Sequence, residues 1–372
     1  EHAMSAIQGC INAPAARAGA RASAGRAAGL AAAPFRSGSS PIRTSHYQLT
    51  KAAPRGLRLS VSAAARSTFP DFLPAEVTEI TEPACVTMAQ NMRRVPITVS
   101  SRKSPVLTTY AGPEAPEHPD APPVICLHGF DSSCLEFRRL HPLLSEHFDT
   151  YAVDLMGWGF SDAGEGDLPY APEDKREHLY AFWKSQIDRP VVIMGCSLGG
   201  AVALDFAMNH PECVEKLVLI DAQGFIDGIG PMASLPRPLA SAGVSVLKSV
   251  WLRQFANKLA YFDKDRYATD DAMRVGRLHC NMPNWQNANV NFMRSGGYSL
   301  STKIAGVDKD TLVMWGENDE ILEKEYATRF EQTLPSARLV WVPECGHVAH
   351  LEQPQMVLSE VLKFTGAAAV AA

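Results

Sequence analysis

Between His2 and Pro70 the chain has no Asp or Glu, while nine Lys or Arg lie within residues 1–66. The stretch is built of Ala, Ser, Arg and Gly with few large apolar residues. It cannot bury enough surface to offset its ordering entropy, which excludes an independent fold, and it is expected to be disordered. An acid-free, arginine- and serine-rich leader of this kind reads as an organelle transit peptide over residues 1–66. Its length and Ala/Ser content favour a plastid, with a mitochondrion as the alternative. "LSVSAAARS" (59–67) supplies small residues for cleavage, and Glu1-His2-Ala3 ahead of Met4 reads as an expression scar. The continuous apolar stretch of a secretory signal is missing.

Three further absences narrow the possibilities. No run approaches the roughly 18 apolar residues of a membrane-spanning helix, which points to a soluble or peripheral protein. The eight cysteines follow no disulfide spacing, as suits a reducing compartment. Basic residues do not dominate: beyond residue 66 there are 26 Lys or Arg against 39 Asp or Glu, a net of −13, which argues against nucleic acid as a partner. No internal repeat is present.

What is there is an alternation. Strand-like segments at 95–100 and 106–110 precede the loop "GPEAPEHPDAPP". Next come a strand at 124–127, a helix at 135–147, a strand at 151–155 and a helix at 172–187. A strand at 191–194, a helix at 198–209 and a strand at 217–220 follow. Later strands at 312–315 and 339–342 each precede a helix, at 324–332 and 354–365. Alternation of this kind predicts an α/β fold, a doubly wound, mostly parallel sheet covered on both faces. The pattern breaks between Asp221 and about Val307, where several short helices are expected. An insertion after a strand lies on the sheet edge where ligands bind, and would form a lid. The predicted organisation is a core over 67–222 and 308–366, a helical lid over 223–307 and a tail at 367–372.

"PVVIMGCSLGG" (190–200) carries the chemistry. An apolar strand runs into Gly195-Cys196-Ser197-Leu198-Gly199, which fits G-x-S-x-G in the strand–turn–helix context that a nucleophile elbow requires. Small neighbours permit a strained backbone at Ser197, and the following helix points its amides and positive dipole end at the same spot. A serine hydroxyl needs a base, and the base an orienting acid. "WVPECGHVAHLEQP" offers His347 after the last strand, and "LVMWGENDEIL" offers Asp319 after the strand before it.

With these motifs, the chain from about residue 95 to 365 resembles the α/β-hydrolase family and is similar to its plastid-targeted plant and green-algal members. The order Ser197, Asp319, His347 is the family's triad order, and the resemblance implies that Asp319 orients the base. Asp221 is an alternative acid position, and Glu317 a weaker one. By the same resemblance "LHGFDSS" (127–133) supplies one oxyanion amide, so Phe130 N–H and Leu198 N–H would form the hole. "DLMGWGFSD" (154–162) resembles a family loop in which Gly157, Gly159 and Ser161 serve geometry. His350 is expected to bond Glu352 or nearby main chain, and Cys196 to point into packing. Cys345, His347, His350 and Glu352 could be taken for metal ligands, but no zinc-type motif accompanies them, so neither metal nor other cofactor is expected.

The implied function is hydrolysis of a carboxylic ester through an acyl-enzyme. Serine at position 197 disfavours the relatives with an Asp nucleophile, and position 352 is Glu where some acyltransferase relatives carry Asp. The lid shapes the substrate. From Gly228 to Phe262 it has no acid, and Arg237, Lys248, Arg253 and Lys258 interleave with apolar and aromatic residues. Trp251 and Phe255 are candidate substrate contacts. The partner expected is a small, bulky apolar ester, of which lipid acyl and phytyl esters are the plastid examples in the family. The lid is expected to pack as an amphipathic cap with its charges in solvent; its basic, aromatic surface also suits peripheral contact with anionic lipid. Two other readings use the same residues: a low-turnover binding protein of the hormone-receptor type, and a cofactor-free haloperoxidase or perhydrolase. Acyl transfer and oligomeric state stay open.

Overall fold

A computed structural model describes residues 69–367, apart from 165 and 167. The transit-peptide reading of 1–66 and most of the expected tail lie outside the described residues. In chain order the elements before the elbow are α1 (Pro83–Gln90), β1 (Arg93–Ile97), β2 (Val106–Ala111), β3 (Val124–Leu127), α2 (His141–Ser145), β4 (Thr150–Val153), α3 (Pro172–Gln186) and β5 (Val191–Cys196). Then come α4 (Leu198–Asn209), β6 (Val214–Ile220) and the insertion helices α5 (Arg237–Leu247), α6 (Val250–Ala260), α7 (Lys264–Tyr267), α8 (Asp270–Leu278) and α9 (Trp285–Arg294). The chain returns to the sheet with β7 (Thr311–Gly316), α10 (Glu325–Thr333), β8 (Ala337–Val342), α11 (Ala349–Glu352) and α12 (Pro354–Thr365).

Eight strands form one sheet in the order β1-β2-β4-β3-β5-β6-β7-β8. β2 runs antiparallel to both its neighbours, and every other pairing is parallel. β5 shows why the sheet needs cover on both faces. All six of its residues are buried. Val191 and Ile193 enter one apolar cluster, with α3 and α4, while Val192, Met194 and Cys196 enter the other, with α1 and α12. Each aliphatic side chain so buried contributes about 1.5–3 kcal/mol relative to exposure.

The strands and the helices at 172–186, 198–209 and 354–365 fall where the sequence places them to within a few residues. The helix expected at 135–147 does not form as one piece. A 3-10 turn at Cys134–Phe137 and the short α2 replace it. Pro142 is the physical reason: inside a continuous helix its ring would clash with the carbonyl four residues earlier, whereas near a helix start it is tolerated. The segment between β6 and β7 is helical as expected, and its α5, α6, α8 and α9 each bury one face.

Candidate active site

Ser197 lies between β5 and α4 at φ 50 and ψ −122, a conformation that L-residues avoid. Two glycines allow it. A side chain at Gly199 would run into the main-chain oxygens of Leu127 and His128, and one at Gly195 into the main chain of Gly199 and Gly200. The serine main chain is tied down as well. Ile220 O accepts from Ser197 N (3.1 Å), while Ser197 O accepts from Gly200 N (2.9 Å) and Gln223 N (2.8 Å). Leu198 is the first residue of α4, so its N–H has no acceptor within the helix.

The turn after β3 lies beside the elbow. Leu155 N donates to His128 Nε2 (3.1 Å), so the proton of this ring is on Nδ1, which donates to Gly129 O (2.8 Å). Burial pushes His128 down to about 4, which keeps it neutral. Its grip on Gly129 O orients the 129–130 peptide plane, and in a trans peptide the Phe130 N–H must then point the opposite way, away from His128. The Phe130 ring packs edge-on against Trp158 (5.4 Å between centroids) and at a tilt against Phe292 (6.1 Å).

His347 Nδ1 and Asp319 Oδ2 are 2.8 Å apart, and the Asp319 side chain is fully buried. The other Asp319 oxygen accepts from Ile321 N (2.7 Å) and Leu322 N (3.0 Å), which fixes the carboxylate. Burial pushes the His347 imidazole down, but Asp319, then Asp221 and Glu136, outweigh it and raise it to about 9. Asp221 approaches the pair from β6 without bonding the imidazole; its Oδ1 accepts from Gly316 N (2.7 Å). Burial, then the neighbouring Asp319 charge, hold the Asp221 carboxyl well above the usual carboxylate range.

Ser197, Phe130, Leu198 and His347 line one cavity of about 290 Å³. The insertion supplies most of its apolar wall, through Ile229, Leu247, Leu252, Leu259, Phe292 and Met293.

Several sequence expectations need correction. Trp251 and Phe255 do not line the cavity. Trp251 is 54% exposed, and the wall from α6 is made by Leu252, Arg253, Ala256, Asn257, Leu259 and Ala260, on the face turned inward. Arg253 is not held in solvent: its side chain is only 16% exposed and is paired with the buried Asp131. His350 does not bond Glu352. Its Nε2 meets Glu136 Oε1 at 3.3 Å and its Nδ1 meets Cys196 Sγ at 3.3 Å. Glu352 instead accepts from the amides of Phe262, Asp263 and Gly346, which ties the end of α6 to the histidine turn. The Gly157–Ser161 loop does serve geometry: Ser161 Oγ accepts from Thr109 N (2.9 Å) and donates to Asp154 O (3.0 Å).

Among the described residues, two side-chain groups bring metal-type ligands together, Asp131 with His279 and Cys280, and Glu136 with Cys196 and His350. Neither suits an ion. In the first, the Arg253 guanidinium already bonds both Asp131 and Cys280. In the second, Glu136 and Cys196 lie on different nitrogens of the His350 ring, and one ion can bind only one of them. Asp131, Glu136 and Arg253 were not foreseen as site residues. The one sequence signal was that Asp131 and Glu136 follow the "HGF" turn closely.

Residues 124–360 match the alpha/beta hydrolase family. The chain is 41% identical over 299 residues to the alpha/beta hydrolase domain-containing protein VTE7 of Arabidopsis thaliana, covering 80% of this chain and 90% of that one. It is 26% identical over 262 residues to 2-hydroxy-6-oxo-6-(2'-aminophenyl)hexa-2,4-dienoic acid hydrolase of Metapseudomonas resinovorans, with 65% and 83% covered. Among solved structures, a thermophilic esterase from Thermogutta terrifontis superposes with a TM-score of 0.62 at 20% identity, over 73% of this chain and 97% of that one.

Proposed function

The chain belongs to the alpha/beta hydrolase family, and from that premise we propose that it is a serine hydrolase of carboxylic esters. The observation that carries the reading is a strained serine, Ser197, sharing one cavity with a histidine whose far nitrogen is bonded to a buried carboxylate. Ser197 Oγ attacks the ester carbonyl while His347 Nε2 takes its proton. The Phe130 and Leu198 amides hold the oxyanion, and His347 returns the proton to the departing alcohol. Water, activated by the same imidazole, then releases the acid and restores the serine. Asp319 keeps the imidazole oriented and stabilises its charged form.

The cavity favours a bulky apolar ester. Its wall is mainly aliphatic and aromatic, and the two arginines in it, Arg253 and Arg138, are already paired with Asp131 and Glu82 and so are not free to match an anionic substrate. No helix of the described residues is long and apolar enough to cross a membrane. Leu239, Val246, Val250 and Trp251 are nevertheless exposed on α5 and α6, in a stretch without acids, which supports a peripheral lipid contact that delivers the ester. Flotation with anionic vesicles tests this; binding unchanged by Trp251→Ser with Val250→Ser refutes it. The acid-free leader supports a plastid location.

Labelling of the protein from about residue 67 with a fluorophosphonate, beside Ser197→Ala, tests the main reading. Labelling is expected in the wild type and absent from the variant, with many turnovers per chain on a p-nitrophenyl ester. A folded wild type that does not label, or that turns over once, refutes it in favour of a binding protein.

A further inference from the structure

The residue after Phe130 has no part in the reaction, yet four side chains converge on it. Asp131 is 3% exposed and stands at φ 49. Its Oδ1 accepts from Trp285 Nε1 (2.6 Å) and Asn289 Nδ2 (3.1 Å) and meets His279 Nε2 at 3.1 Å. Its Oδ2 is paired with Arg253 Nη2. All four partners come from the insertion: Arg253 from α6, His279 from the turn after α8, Trp285 and Asn289 from α9.

Holding helices together does not by itself require such a cluster, since well-packed apolar residues often replace a buried ion pair without loss. What this cluster adds is a hold on the main chain. Arg253 Nη1 donates to the carbonyl oxygen of Asp131 itself (3.2 Å), so one guanidinium grips both side chain and backbone of the residue after Phe130. Asn289 extends the hold: its Oδ1 accepts from Trp158 Nε1 (3.0 Å), and Trp158 packs against the Phe130 ring. Phe292, one turn further along α9, touches both rings, with 4.8 Å between its centroid and that of Trp158. Phe130 is therefore fixed by the insertion at its ring and, through the next residue, at its backbone. On the other side His128 fixes the peptide before it.

We infer that Asp131 is a positioning residue through which the helical insertion holds the 129–131 turn, so that the Phe130 amide meets the developing oxyanion. The inference rests on the reading of that amide as an oxyanion donor. A docked insertion is thus part of a working hydrolase, not only a wall around its substrate.

The test compares wild type and Asp131→Asn on a p-nitrophenyl ester. It also measures their affinities for a trifluoromethyl ketone, which forms an oxyanion on Ser197, and for the matching secondary alcohol, which fills the cavity without one. Asp131→Asn is expected to lower kcat and ketone affinity by about 100-fold, the usual scale for losing one oxyanion donor. KM and alcohol affinity should change little. Arg253→Lys, which keeps the charge but cannot fork across both oxygens, should recover part of what Arg253→Met loses. A variant that melts earlier but keeps the wild-type kcat overturns the inference, and so do ketone and alcohol affinities that fall together. Should Asp131→Asn not fold, Trp285→Phe removes one donor alone; unchanged kcat and ketone affinity there are equally fatal. A wild type that neither labels with fluorophosphonate nor turns over would overturn the hydrolase reading itself, a result distinct from all of these.

Discussion

The sheet and the insertion hold the candidate site in different ways. On the sheet side the main chain does the holding. Ser197 is fixed by its own φ and by glycines whose side chains would strike backbone oxygens, and Asp319 by the amides of Ile321 and Leu322. On the insertion side the holding is done by side chains from distant parts of the chain. Arg253 lies 122 residues from Asp131, and Asn289 lies 158 residues from it. Main-chain devices demand particular residue types at fixed short spacings, while side-chain attachments can be made from anywhere. The first kind should therefore fail in chemistry when altered, and the second in docking and, through the 129–131 turn, in the hold on the oxyanion.

Asp319→Asn is the sharpest test of the sheet side. A drop in kcat of about 10⁴ is expected if Asp319 acts as the orienting carboxylate does in Ser-His-Asp triads. The same variant should shift the pH profile. His347 is raised to about 9 with Asp319 as the main upward influence, so wild-type kcat/KM should rise with pH through that region as the imidazole becomes a free base. Without the carboxylate this limb should move toward the ordinary histidine value. The sign for stability is opposite. A histidine raised in the folded state stabilises fully below its unfolded value of about 6.5, and that contribution is lost as pH rises through 9. A profile unmoved by the substitution would remove Asp319 from its role.

Arg253→Met probes the insertion side. Removing Arg253 takes one cation from the buried Asp131 and leaves His279 beside it, so unfolding stability should fall by up to roughly 3 kcal/mol. Gly199→Ala probes the sheet side by sterics alone. Its methyl group would meet the Leu127 and His128 oxygens, at a cost of about 2 kcal/mol from overpacking. Denaturant midpoints check both. The comparison predicts that Gly199→Ala also depresses labelling of the folded enzyme, because the strain falls on the elbow itself.

This division explains what could be read from the sequence. G-x-S-x-G, the order of Ser197, Asp319 and His347, and the alternating elements are local patterns, and the structure places the strands within a few residues of them. The direction of Arg253 was not legible, since an arginine in an amphipathic, acid-free helix reads as solvated until its partner is seen. His350 pairs with Glu136, more than 200 residues away, where the sequence offers Glu352 two residues on. Trp251 and Phe255 drew attention as aromatics, but which face of α6 turns inward depends on what it packs against. The break at Pro142 was legible in principle.

The two smallest effects are also informative. Asp221→Asn should change kcat less than tenfold, because Asp221 bonds Gly316 N while Asp319 holds the imidazole. A loss equal to that of Asp319→Asn would make Asp221 the orienting acid. Trp251→Ser should leave stability within about 0.5 kcal/mol, as for other surface substitutions. Trp251 is 54% exposed, and Leu239, Val246 and Val250 are exposed on the same pair of helices. An apolar surface that folding does not need serves another purpose or is covered by another molecule. Melting measured across protein concentrations separates these. A concentration-independent midpoint that Trp251→Ser leaves in place keeps this face free for lipid. A midpoint that rises with concentration in the wild type alone means a second copy covers it, and the insertion's outer face then belongs to an oligomer.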